Sequence, residues 1–154
     1  MGTIDQNIVD SYNSQIWSIQ NDISEYSAKI RTLENDIAEL TGVKKYFTGM
    51  LEQLNGAVAK TKKRRSLFST LTIIKNAVIR DSFFEKRMDD VISGTEYSSA
   101  VGSMENAISK VTKKIRATRD EIESLKGKIA ACNASITNIS SQKAAYISQA
   151  TADE

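Results

Sequence analysis

An all-α, elongated antiparallel helical hairpin, coiled-coil-like with one or two shorter helices at one end, is the fold this sequence predicts. Three observations predict it. Apolar residues recur at alternating spacings of three and four in two long stretches, the two stretches are nearly equal in length, and the 154-residue chain contains no proline. A mean apolar period of 3.5 places those residues along one stripe of a helix, and such a stripe is buried against another helix. Proline breaks helix interiors, so its absence leaves both stretches uninterrupted.

The first stripe runs Val9, Tyr12, Ile16, Ile19, Ile23, Tyr26, Ile30, Leu33, Ile37, Leu40, Phe47, Leu51, Leu54 and Val58, with Lys44 as its one interruption. It predicts a first long helix over residues 9–58. Residues 1–8 are expected to fray, with Asp10, Ser11 or Asp5 as the cap. Thr41-Gly42 marks a weak point, because glycine within a helix costs about 1 kcal/mol relative to alanine. Asn55-Gly56 reads as a stop signal, although Val58 continues the stripe.

The second stripe runs Val101, Met104, Ile108, Val111, Ile115, Ile122, Leu125, Ile129, Cys132, Ile136, Ile139 and Tyr146, with Thr118 and Lys143 off pattern. It predicts a second long helix over residues 97–146, begun by the turn Ser93-Gly94-Thr95-Glu96 with Thr95 or Ser98 as cap. Residues 147–154 are small and polar, and a disordered tail is expected. Between the helices, residues 59–96 form a basic, irregular helical middle. Residues 60–65 carry five positive charges, and apolar groups follow at Leu67, Phe68, Leu71, Ile73, Ile74, Ala77, Val78, Ile79, Phe83, Phe84, Met88, Val91 and Ile92.

Length and charge select the pairing. Each long helix would reach roughly 75 Å at 1.5 Å per residue, so folding one back on the other buries both stripes within a single domain, 1–154. Residues 9–58 hold seven acids against four bases, and residues 97–146 hold four acids against eight bases. Antiparallel pairing with Val58 opposite Tyr97 sets residues 34–39 near residues 116–119, acid against base. Each surface pair is worth only about 0–1 kcal/mol, enough to disfavour pairing two acidic helices. Lys44 and Lys143 would fix the register at some cost in stability.

Chemistry is sparsely represented, and no enzyme activity, cofactor or metal is expected. There is no histidine, which removes the usual general base and the usual nitrogen ligand for a metal. The single cysteine, Cys132, lies on the second stripe, where a small buried hydrophobe suffices. The acids Asp89, Asp90, Asp120, Glu121 and Glu123 sit at helix-surface spacing without a companion ligand set, and no glycine belongs to a phosphate-binding loop. The formal charge of +2 is too small to imply nucleic acid. No stretch approaches eighteen uninterrupted apolar residues, and residues 1–10 lack the basic and apolar regions of a secretory leader. The expected location is the cytoplasm, with any export by a leaderless route.

Partner binding is the remaining chemistry. Trp17, Val43, Phe47, Met50, Leu67 and Phe68 are the candidates for contact with another protein, Trp17 being placed in the first instance on the flank of the core. Lys60, Lys62, Lys63, Arg64 and Arg65 form the candidate basic patch, suited to an acidic protein face or a membrane surface; the bland alternative is that they hydrate a helix junction. Nucleic acid is disfavoured, since no base-stacking aromatic lies within the run.

The layout resembles the Lap-type accessory proteins encoded beside LXG toxins in Gram-positive bacteria, relatives of the WXG-type helical hairpins. The resemblance rests on residues 16–40 and 108–146, on Asn133 three places before Ile136, and on Phe47-Thr48-Gly49 in a long-helix, irregular-middle, long-helix order. The sequence departs from the family where Trp17 is followed by Ser18-Ile19 rather than x-Gly, and where Ala150 rather than an acid stands four places after Tyr146. The resemblance implies an adaptor or chaperone that binds the helical N-terminal domain of a secreted toxin. It would promote the toxin's type VII export, with a second small helical accessory protein as a further partner. Two readings compete: a self-associating coiled-coil spacer or tether, including a homodimer, and a peripheral membrane-binding helical protein.

Overall fold

The computed structural model describes residues 4–70 and 94–152, with side chains described to Leu67 and again from Gly94. The protein is all-α: α1 spans Gln6–Thr70 and α2 spans Thr95–Ala152, packed on each other as a helical hairpin. The shorter helices expected over residues 67–92 lie mostly outside the described residues, and residues 67–70 belong to α1 rather than to a separate helix.

Two compact units divide the chain, one built from Met1–Ala38 with Arg116–Glu154 and the other from Glu39–Ile115. In the first unit, low-numbered residues of α1 meet high-numbered residues of α2. Tyr146 Oη accepts the Asp5 amide at 2.9 Å, Lys143 Nζ donates to Asn13 Oδ1 at 2.7 Å, and Lys29 Nζ meets Glu121 Oε1 at 2.8 Å. Lys128 Nζ lies 5.5 Å from the centre of the Tyr26 ring. Residue numbers fall on one helix as they rise on the other, so the pairing is antiparallel. In the second unit Tyr97 Oη donates to Asn55 Oδ1 at 2.8 Å, in the same sense and within a few residues of the predicted Val58–Tyr97 register.

Every described position of both stripes is at least half-buried, including the off-pattern Lys44, Thr118 and Lys143. The first unit buries Val9, Thr118, Ile122 and Leu125 most deeply, and the second buries Val58 and Ile115. Complete enclosure is not reached by any described side chain, because a helix covered by one neighbour keeps a rim in solvent. Such burial still contributes about 25 cal/mol per Å² of apolar surface removed from water.

Helix boundaries depart from the sequence expectations in four places, and in the first three the seam overrides the local signal. At the start, residues 6–8 are helical rather than frayed. Asp5, one of the three caps expected, begins α1, its Oδ1 accepting the Asn7 amide at 2.9 Å and its carbonyl accepting the amides of Ile8 and Val9. Buried Val9 and the Tyr146 hydroxyl hold this first turn down. At Asn55-Gly56 the first helix was to end, yet α1 continues to Thr70 through the basic run. Val58 and Thr61 extend the covered stripe, no described glycine has a positive φ, and lysine and arginine are good helix formers. At the other end α2 continues through the tail read as disordered, because Ile147 and Ala150 are half-covered. There Thr151 Oγ1 donates back to the carbonyls of Ile147 and Ser148. Gly94 stands at the head of α2, its carbonyl accepting the Ser98 amide at 3.3 Å, in place of the Thr95 or Ser98 cap.

The charge pairing differs in detail. The ion pair Lys29–Glu121 sets a base of the acidic helix against an acid of the basic one. Both groups are about half exposed, so the pair contributes at most about 1 kcal/mol, and apolar periodicity rather than charge sets the register.

Candidate docking surface

With the seam occupied by α2, the surface of interest on α1 is its outer side. Taking Val9 as heptad position a and Tyr12 as d, the outermost position is f and its neighbours are b, c and g. In the second unit, position f of α1 is glycine three times running, at Gly42, Gly49 and Gly56. Position g carries Val43, Met50 and Ala57, followed by Arg64, and position c carries Tyr46, Gln53 and Lys60, followed by Leu67. The stripe is therefore apolar and bare over residues 42–57, then cationic.

Exposure supports this division. Tyr46 is 66% exposed, Val43 43% and Leu67 58%, while Met50 is half-buried. Gly42, Lys45, Tyr46, Gly49, Met50 and Gln53 line an open groove along this side of α1. A Cβ built at Gly42, Gly49 or Gly56 would meet nothing within 4 Å. The glycines thus answer no packing demand among the described residues, although each costs helix stability.

The predicted partner residues scatter. Val43 and Met50 belong to the outer stripe, Leu67 continues it, and Phe47 lies on the seam, half-buried, its ring 6.0 Å from that of Tyr46 in an edge-on arrangement. The Phe68 side chain lies outside the described residues. Trp17 belongs to the first unit and was expected to cover the core flank; it is 67% exposed instead. Position b points away from α2, and its helical neighbours Asn13, Ser14, Gln20 and Asn21 offer the ring no apolar cover.

The basic run was expected at a helix junction, but the continuous helix spreads it around the axis at about 100° per residue. Lys60, Lys63 and Arg64 join the outer stripe, whereas Lys62 and Arg65 turn toward the seam side; all five are exposed. Tyr46 was missed by the sequence reading. Its signal was the seven-residue spacing of Gly42, Gly49 and Gly56, two of which had been taken for a kink and a stop. Cys132 is half-buried on the seam. Among the described residues no three cysteine or acidic side chains gather as a metal-holding group, and no described helix is long and apolar enough to cross a membrane. No family model, curated protein or solved structure matches the chain.

Proposed function

We propose that this protein is a non-enzymatic helical adaptor that docks on the helices of a partner protein. One observation carries the reading: the seam is filled within the chain, yet large apolar side chains remain in water at Trp17, Val43, Tyr46 and Leu67. Exposed apolar and aromatic side chains on a helix are the usual anchors of helix-to-helix recognition. The family resemblance supplies the client, the helical N-terminal domain of a secreted toxin, and the outcome, export by a type VII route. A second small helical protein would supply the acid that Ala150 replaces after Tyr146.

Co-expression with the large protein encoded next to it tests the adaptor role. The expected result is a soluble stoichiometric complex, with the client insoluble or degraded when expressed alone. A folded monomer that co-purifies with neither neighbour contradicts it. The spacer reading predicts concentration-dependent oligomers in light scattering, and no observed feature favours it over the adaptor.

A further inference from the structure

We propose that the outer face of α1 over residues 42–64 receives an amphipathic helix of a partner protein whose apolar stripe is bordered by Asp and Glu. The proposal rests on the adaptor reading and adds the site and the partner's charge.

Three features of this face converge. Val43 and Tyr46 present exposed apolar surface, with Met50 beside them along the groove. The three glycines let a partner backbone approach closely, since among the described residues no atom stands where their side chains would be. Charge then restricts the partner. On this face Lys45, Lys60, Lys63 and Arg64 stand against the single acid Glu52. The whole second unit carries fourteen bases against eight acids, a net of +6. A basic helix is repelled by such a surface, whereas an acidic one is steered to it and held in one direction by the cations at residues 60–64.

A membrane surface fits this face less well. Interfacial helices bury a broad apolar side rich in Trp, Phe and Leu, and the broad apolar side of α1 is already packed on α2. The outer stripe offers Val43, Tyr46, Met50 and Ala57 between glycines, a width suited to one helix.

The test uses the full chain and a labelled synthetic helix of about four heptads with Leu and Ile at its a and d positions, Glu at its flanks in one version and Lys in the other. Fluorescence anisotropy is expected to show the Glu version binding at least about tenfold more tightly than the Lys version, with the gap closing as salt rises. Tyr46→Ala should weaken binding about tenfold or more, as removal of a central anchor does. Gly49→Leu should abolish it with helix content unchanged, and Asn35→Ala, on the outward side of the first unit, should leave it unaltered. Equal binding of both peptides, or indifference to Tyr46→Ala and Gly49→Leu, overturns the proposal. So does a face that binds anionic phosphatidylserine vesicles, or a second copy of the chain, but not the Glu peptide. A natural client that still co-purifies with both variants overturns this face and leaves the adaptor role standing. Absence of any client for the wild-type chain removes the adaptor role itself.

Discussion

The two units of this chain share one seam pattern and differ on the outside. The first carries eleven acids against seven bases, and the outward positions of its α1 segment are Ser, Asn, Asp, Glu and Gln for the most part, with Ile8 and Trp17 as exposed large apolar exceptions. The second carries fourteen bases against eight acids, and its α1 segment adds a second, weaker apolar stripe around three bare glycines. Both pair through the seam, and among the described residues nothing packs on the extra stripe of the second. A helical pair needs one apolar face per helix; a second face is a cost in solubility that the proposed docking of a partner would account for.

If the seam folds the chain and the outer stripe does not, substitutions should separate the two. Leu125→Ala, on the most buried apolar side chain described in the first unit at 5% exposure, should cost about 2–4 kcal/mol in chemical denaturation. Gly49→Ala, on the outer stripe, should act in the opposite direction and raise stability by about 0.5–1 kcal/mol, because its Cβ meets nothing and the helix gains rigidity. A fall in stability there would mean that something within the chain needs the bare backbone. Lys29→Ala removes the ion pair with Glu121 and should cost no more than about 0.5 kcal/mol, less in high salt. Tyr46→Ala should change stability by less than about 0.5 kcal/mol, which would mark its exposed ring as irrelevant to folding.

The smallest effect is a titration. The hydrogen bond and charge of Glu123 hold the Lys126 ammonium above its ordinary value of 10.5, and Glu34 adds to the same direction. A raised lysine favours the folded state at pH values below its unfolded pKa and loses that contribution as pH climbs through the folded one. Any effect is therefore confined to alkaline solution. Glu123→Gln should return Lys126 toward 10.5 in an NMR titration and leave behaviour at neutral pH unchanged.

Much of the fold was legible because a paired helix imposes a strict demand on its inner positions. Val9 to Val58 and Val101 to Tyr146 satisfy it, and even Lys44, Thr118 and Lys143 fall where the period puts them. Helix ends were read less well. Asn55-Gly56 and the basic run are local stop signals, but covered Val58 and Thr61 outweigh the roughly 1 kcal/mol that a glycine withdraws. The candidate site was harder still, since outward positions obey no packing rule. Trp17 was placed on the core flank because large aromatic rings are usually covered, while its b position points elsewhere. Tyr46 became conspicuous only when the glycines at sevenfold spacing shared its face.

All of this depends on α1 and α2 closing on each other within one chain. Paired cysteines at 13 and 143, and separately at 55 and 97, in a Cys132→Ala background, test it directly by cross-linking with a short bis-maleimide at low concentration, which spans the gap left when the long side chains are removed. Lys143 Nζ reaches Asn13 Oδ1 at 2.7 Å, and Tyr97 Oη reaches Asn55 Oδ1 at 2.8 Å. The predicted result is an intramolecular bridge in each pair, with the chain remaining monomeric on a non-reducing gel. Bridges that form only between chains, or form as readily for mismatched pairs such as 13 with 97, would contradict the hairpin and every surface assigned to it.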